Sequence, residues 1–214
     1  MLVRVIRKIF GKEASIVEDP IKYNSEENIN SLNRDVGYFL KMKTNVEKTT
    51  QVIFNHMKDN GLFTETMSVL DVGCGFGNLL NLISDQYPET SLLGTDFSES
   101  KIYHLKGIYP NINFKVHNIY DSLEQTYDLI ICTEVLEHLL YPRNALVRLI
   151  EGMSDSGKIF ITIPNGRIDT FIGHINFWSL ESWNVFLEEN VTANYHIETG
   201  LTSNNKVIYT IIKK

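Results

Sequence analysis

Hydrophobic residues fall along this chain in two alternating rhythms. From Ser68 to Pro164, short runs that are apolar almost throughout are separated by stretches whose apolar residues recur every three or four positions. The runs Ser68–Val72, Ser91–Thr95, Asn113–His117, Tyr127–Cys132 and Lys158–Ile163 read as strands, the last stopped by Pro164. Between them, Asn78–Tyr87 (Leu79, Leu80, Leu82, Ile83), Ser100–Tyr109 (Ile102, Leu105, Ile108) and Asn144–Met153 read as helices with one apolar face. Near-continuous apolar strands alternating with helices imply a parallel sheet covered on both faces.

The flanks follow other patterns. Thr44 is predicted to cap a helix that carries Val46, Val52, Ile53 and Met57 on one face and ends near Gly61. Ahead of it, Asp19-Pro20 and the polar cluster Asn24–Asn33 read as loop and turn chemistry. After Pro164 a loop leads to a helix around Leu180–Glu188. Two candidate strands follow, Thr192–Glu198 and Val207–Ile212, separated by Gly200 and Asn204-Asn205. That is a hairpin signal, so the sheet should end in an antiparallel strand. The expected fold is α/β, a Rossmann-like three-layer sandwich with a mostly parallel sheet and an antiparallel final strand. Residues 1–43 are expected to be an extension packing on or near the active site, and residues 44–214 the main domain. No internal repeat is visible.

Composition narrows the function classes. At 214 residues, with 43% hydrophobic and 21% charged, the chain is long enough for one α/β domain and has an ordinary globular balance. A net charge of −6 argues against a protein that lives on a nucleic-acid backbone. Cys74 and Cys132 sit in strand or strand-end segments and make no metal-binding spacing, so both read as reduced thiols of a cytoplasmic protein. No apolar run approaches the roughly 20 residues that span a bilayer. Arg4, Arg7 and Lys8 break the apolar pattern of Met1–Phe10, so no signal peptide is expected. Residues 1–12 are basic and amphipathic. They read either as an arm packed on the domain or as an interfacial helix resting weakly, at the periphery of a membrane, on anionic lipid. The first reading is favoured because one short basic helix anchors poorly.

The candidate chemistry starts where the first predicted strand ends. The turn V69-L-D-V-G-C-G-F-G77 alternates Gly73, Gly75 and Gly77, with Asp71 before them and a helix after. Glycine serves where backbone must come close to a ligand or take positive φ. The helix start supplies free N–H groups and a positive dipole end. A dinucleotide site would want GxGxxG, but Asn78 stands where its third glycine belongs. An acid before the turn suits a cationic or amino-bearing ligand. The second strand ends in Asp96, followed by Phe97; an acid there is placed to accept both hydroxyls of a ribose. After the third strand, Asn118 is suited to bond the exocyclic amine of an adenine, and Ile119 to pack on its face. Together these residues describe a nucleoside with an amino-acid tail.

Residues 68–164 resemble the core of the class I S-adenosylmethionine-dependent methyltransferases, with D-x-G-C-G-x-G as the first motif of that family. The resemblance implies S-adenosyl-L-methionine as cofactor, with Gly73 and Gly75 against the methionine part and Asp96 on the ribose. The family more often has Asp where this chain has Asn118. It also has an antiparallel final strand, which matches the hairpin read from the pattern. An alternative from another class is a regulatory module that binds the cofactor without transferring a methyl group.

The acceptor side is sought in T133-E-V-L-E-H-L139 and G173-H-I-N-F-W-S179. Glu134, at the carboxyl end of the sheet beside the cofactor, is counted with Gly77 and Phe97 among the expected cofactor-binding residues; on a helical turn it would share a face with Glu137 and with His138. Three readings stand side by side. His138 or His174 is a general base for a hydroxyl acceptor. Glu134, Glu137, His138 and His174 hold Mg²⁺ or Mn²⁺, a set that resembles the metal site of small-RNA 3′-terminal 2′-O-methyltransferases. Or the segment is structural, with Glu134 bonding backbone and His138 packed beneath the site. E-V-L-E-H equally resembles ubiquinone-pathway and sugar O-methyltransferases, many without metal, so no metal is assigned. Pro164–Ser179 is expected to form the acceptor wall, with Phe171 and Phe177 as stacking groups and Asn165, Arg167 and Asn176 as hydrogen-bonding groups. Trp178 is expected to plug the core beside the last helix. I-P-N-G-R…G-H-x-N-F-W resembles bacterial methyltransferases of glycan and lipid-linked pathways. The favoured function is O-methylation of a small-molecule, glycan or lipid-linked hydroxyl, the alternative a metal-dependent 2′-O-methylation of an RNA end.

Overall fold

The computed structural model describes residues 19–214. The basic segment 1–12 read above as a packed arm or interfacial helix lies outside them. Among the described residues, no helix is long and apolar enough to cross a membrane.

Among the described residues, seven strands form one sheet: β1 (Ser68–Val72), β2 (Ser91–Asp96), β3 (Asn113–Val116), β4 (Tyr127–Thr133), β5 (Met153–Pro164), β6 (His196–Leu201) and β7 (Val207–Lys213), in the order β3-β2-β1-β4-β5-β7-β6. The first five run parallel, while β7 pairs antiparallel with β5, and β6 antiparallel with β7. The direction of strand addition reverses between β1 and β4. The chain therefore leaves those two strands toward opposite faces of the sheet, and such a reversal at the carboxyl edge is where open α/β sheets place ligands.

Each face of the sheet has its own apolar layer, as the strand pattern predicts. On one face lie α3 (Val36–Asp59), α4 (Asn78–Gln86) and α5 (Glu99–Ile108), through Phe54, Leu80, Ile83 and Leu105. On the other lie α6 (Pro142–Glu151) and α7 (Leu180–Asn190), through Leu146, Leu149, Trp183 and Leu187. Trp183, fully buried, donates its indole N–H to Thr210 Oγ1 at 2.7 Å, so its polar atom is satisfied inside the core. Trp178 packs edge-on against it at 5.1 Å, which agrees with the core role expected of it.

The amino-terminal third departs from the expectation. Two helices, α1 (Pro20–Tyr23) and α2 (Glu26–Asn33), occupy the segment read as loop and turn. Their starts carry the polar residues that suggested turns: Asp19 caps Ile21 and Lys22, with Pro20 in the first turn, and Ser25 caps Asn28 ahead of Glu26 and Glu27. The same residue types serve turns and helix caps, and the short apolar stripes behind them are weak. The long helix α3 begins at Val36 rather than after Thr44, capped by Asp35, whose carboxylate accepts from Tyr38 N–H at 2.6 Å. Thr44 lies exposed within it, so the 43/44 boundary falls inside one helix. Phe39, fully buried, pins the earlier turns to the core against Phe76 and His104.

Two boundaries move later in the chain. Strand β5 begins at Met153, five residues before the expected start, because Met153 pairs with Tyr127 before the register shifts and Lys158 takes up Leu129. The helix before it accordingly runs from Pro142 to Glu151. The hairpin strand is His196–Leu201, with Gly200 inside it: a side chain at Gly200 would meet the Tyr209 ring at 2.8 Å. The turn is left to Thr202–Lys206, where Asn205 adopts φ 56°.

Candidate active site at the switch point

Gly73, Gly75 and Gly77 all have positive φ, at 76°, 55° and 73°. Their reasons differ. A side chain at Gly73 would stand 2.4 Å from Val135, so the glycine lets the β1 and β4 loops close on each other. One at Gly77 would strike Leu105 and Tyr109, so that glycine belongs to helix packing as well as to the turn. Gly75 meets only Gly73 O, at 3.9 Å, and is the glycine that leaves open space beside the loop. The amides of Gly73 and Cys74 are held by Thr95 O at 2.7 and 2.8 Å, which fixes the turn against the end of β2. Helix α4 then starts at Gly77 with no side chain capping it.

Asp96 sits beside this turn, buried. Its Oδ2 accepts from Gly75 N–H and from Lys101 Nζ, both at 3.2 Å, and its Oδ1 from Ser98 N–H at 2.9 Å. Asp71 lies beneath it, fully buried, with Oδ1 unpartnered. Burial, reinforced by the charge of Asp96, pushes the Asp71 carboxyl up to about 7. An unpartnered acid under a glycine turn and a second acid at its rim make a site that favours a positively charged ligand. Phe97 is half-buried next to Asp96. Asn118 is exposed, and its Oδ1 accepts from Tyr120 N–H at 3.1 Å. Ile119 is half-buried against the second core layer.

At the end of β4 the backbone turns sharply. Glu134 adopts φ 55°, a left-handed conformation that is costly for a residue with a side chain. A single 3₁₀ turn follows, Leu136–His138. The helical face expected to unite Glu134 with Glu137 and His138 is therefore absent. Glu134 instead turns back to the sheet, its Oε1 accepting from Thr162 Oγ1 at 2.9 Å and its amide bonding Thr162 O. Burial raises its carboxyl to about 7.

Glu137, His138 and His174 do converge: each offers a ligand atom within 4.8 Å of the others, and Glu134 stands outside the group. Glu137 Oε1 is 3.9 Å from both His138 Nε2 and His174 Nε2. Both Glu137 oxygens are buried without a hydrogen-bond partner, as is His138 Nδ1. Burial, with the charge of Glu134 second, pushes the Glu137 carboxyl well above the usual range. Burial, with His174 second, lowers His138 to about 4, so its ring is neutral at pH 7 and a weak base.

His174 arrives from a loop tied down by its backbone. Ile175 and Asn176 N–H donate to Glu137 O at 2.8 and 3.0 Å, and Asn176 Nδ2 donates to Leu136 O and Leu139 O. Asn165 is buried and bonded to Asn205 O, and Arg167 pairs with Glu181 at 2.9 Å. The three residues expected to offer hydrogen bonds to an acceptor thus have partners within the protein. The rings of Phe171 and Phe177 lie 4.9 and 6.1 Å from that of His174, and the two residues are 42% and 49% exposed. Asp169, which the pattern did not single out, lies 2.5 Å from His174 Nδ1 through Oδ2. Its position in a loop, five residues ahead of the histidine, has no periodic signal to reveal it.

A methyltransferase-domain model matches residues 50–196, most of the chain. The chain belongs to the methyltransferase-domain family. Its members take S-adenosylmethionine, and the open Gly75, the unpartnered Asp71 and the buried Asp96 fit such a cationic nucleoside. Among curated relatives, the putative methyltransferase 235L of Invertebrate iridescent virus 6 is 30% identical over 44% of this chain and 36% of its own length. A trans-aconitate 2-methyltransferase of Variovorax paradoxus is 28% identical over 48% of this chain and 40% of its own. The match thus spans less than half the length of either relative. In fold, the domain is similar to a plantazolicin methyltransferase crystallised with a monoazolic desmethyl analogue and SAH, with TM-score 0.64 at 16% identity, covering 100% of this chain and 95% of that one.

Proposed function

We propose that this methyltransferase domain transfers the methyl group of S-adenosylmethionine to a hydroxyl of a small-molecule, glycan or lipid-linked acceptor, with His174 taking the hydroxyl proton. One observation carries the reading: His174 comes to the carboxyl edge of β4 with Nε2 facing the Glu137–His138 pair, in the loop after β5 that the Ile175 and Asn176 amides tie to Glu137 O. Bound S-adenosylmethionine supplies a methyl group already activated on a sulfonium. The protein's task is then to hold the acceptor in line, exclude water and remove one proton. Half-exposed Phe171 and Phe177 give the acceptor an apolar flank beside that base. Low basicity makes His138 the weaker candidate of the two.

Incubation with methyl-labelled S-adenosylmethionine and cell extract tests the reading. Label should enter a base-stable ether in an organic-soluble or glycan fraction, and His174→Gln should reduce incorporation by about 10²-fold or more. Undiminished incorporation by His174→Gln would overturn the assignment of the base. Label confined to amines would overturn O-methylation, and tight cofactor binding with no transfer would favour the regulatory module.

A second reading is favoured by the two unpartnered oxygens of Glu137. A buried carboxylate without donors needs either its proton or a cation. Glu137, His138 and His174 together are suited to hold Mg²⁺ or Mn²⁺, which would orient and acidify an acceptor hydroxyl. Elemental analysis of purified protein, before and after chelator dialysis, separates the two. Stoichiometric metal whose removal abolishes transfer favours this reading; transfer that survives removal of all metal eliminates it.

A further inference from the structure

Asp169 has two donors to satisfy, and they are of different kinds. Its Oδ1 accepts the Phe171 backbone N–H at 3.0 Å, and its Oδ2 faces His174 Nδ1 at 2.5 Å. Both side chains are about nine-tenths buried, at 11% and 10% exposure. The carboxylate is not free to swing. Asp169 N–H is bonded to Asn165 O at 3.0 Å, and Asn165 is bonded to the β5–β7 side of the sheet through Lys206 O and Asn205 O. A frame anchored on the sheet therefore carries the acid to the ring.

A carboxylate only accepts hydrogen bonds. Nδ1 of His174 must then be the protonated nitrogen, and in the neutral ring Nε2 holds the lone pair. Nε2 is the nitrogen that faces Glu137 Oε1 at 3.9 Å. We propose that Asp169 is a positioning residue of the active site: it locks His174 in the Nδ1–H tautomer, so that the basic Nε2 is presented to the acceptor. The inference rests on the reading of His174 as the proton acceptor.

The two-donor arrangement makes a sharp test possible. A backbone N–H can only donate, so in Asp169→Asn the side-chain oxygen must stay on Phe171. Its NH₂ group is then turned toward Nδ1, which has to accept. The ring proton moves to Nε2, and the lone pair is withdrawn from the acceptor without loss of a side chain or of a hydrogen bond.

The test is a long-range ¹H–¹⁵N spectrum of ¹⁵N-histidine-labelled protein at pH 8, with the His174 signals assigned by their loss in His174→Gln. Wild type should show Nδ1 protonated and Nε2 bare, and Asp169→Asn the reverse. In parallel, Asp169→Asn should lower methyl transfer into extract by ~10²-fold, with the thermal shift caused by S-adenosylmethionine unchanged. A wild-type ring protonated at Nε2, or an Asp169→Asn ring that keeps the wild-type tautomer, overturns the proposal. If Asp169→Asn fails to fold, the wild-type spectrum alone decides the tautomer. A switched tautomer with undiminished transfer overturns the base assignment, and the catalytic meaning of Asp169 with it.

Discussion

At the scale of single residues, the glycine turn concentrates unfavourable features, three positive-φ residues and a buried acid with an unpartnered oxygen. Asp71 is fully buried beside a second acid, and its carboxyl is raised to about 7. The folded state thus holds a proton that the unfolded chain releases nearer pH 4. Stability of the free protein should fall as pH rises from about 4 to about 7 and level off above that, by a contribution on the order of 4 kcal/mol. Denaturant unfolding at several pH values measures it; Asp71→Asn should make that part of the profile shallower, leaving the falls due to Glu134 and Glu137, whose carboxyls burial also raises, and an equally steep profile in the variant would show that the slope arises elsewhere. Asp96 already accepts from Gly75, Lys101 and Ser98 and is the acid at the rim of the turn. Asp96→Ala should abolish the thermal shift caused by S-adenosylmethionine while leaving the fold intact by circular dichroism. Gly73→Ala should be far more damaging than Gly75→Ala to stability, although both have positive φ, because only Gly73 faces a side chain at 2.4 Å. Comparison of the two midpoints of unfolding checks this.

At the scale of elements, the amino-terminal helices connect the two halves of the site. Asn30 on α2 accepts from Ser98 Oγ and Ser100 N–H, next to Asp96, while Asn24 after α1 donates to Gly173 O, next to His174. Tyr23 lies edge-on to Phe171 at 5.8 Å. Short helices are marginal by themselves, so α1 and α2 depend on these tertiary contacts and on α3 behind them. Phe39 is the apolar anchor of that region. Phe39→Ala should cost about 3–5 kcal/mol, seen as a lower unfolding midpoint, and a loss under 1 kcal/mol would mean that the early turns of α3 contribute little to the fold. These helices were hard to read because their cap residues, Asp19, Ser25 and Asp35, have the same composition as turns. The strands were easier. Buried on both faces, they must be apolar at nearly every position, and such runs cannot be mistaken for loops.

At the scale of the molecule, one sheet shares two apolar layers, and both tryptophans lie on the same face. A sheet common to both layers should melt in one transition, with tryptophan fluorescence and far-ultraviolet circular dichroism tracing the same curve. Separated curves would show that the α6–α7 layer unfolds independently. The reversal of strand order between β1 and β4 also explains how residues 71–77 and 134–138 become neighbours. Much of the glycine turn was legible from the chain, because its motif is local: the acid, the glycines and the helix start are consecutive. The acceptor half was legible only as a set of candidate residue types. The convergence of Glu137 and His138 with His174, across more than thirty residues of chain, follows from loop closure over the sheet edge.

The amino-acid order alone determined the strands and core helices, the antiparallel ending and the glycine turn. Burial on a sheet and the φ demands of a glycine turn leave direct marks on neighbouring residues. Tertiary structure decided the rest. It turned Glu134 back to Thr162, engaged Asn165, Arg167 and Asn176 within the protein, and set Asp169 against His174. Polar side chains bond in too many ways for sequence to choose among them. The choice is made when a loop closes and brings particular donors to particular acceptors.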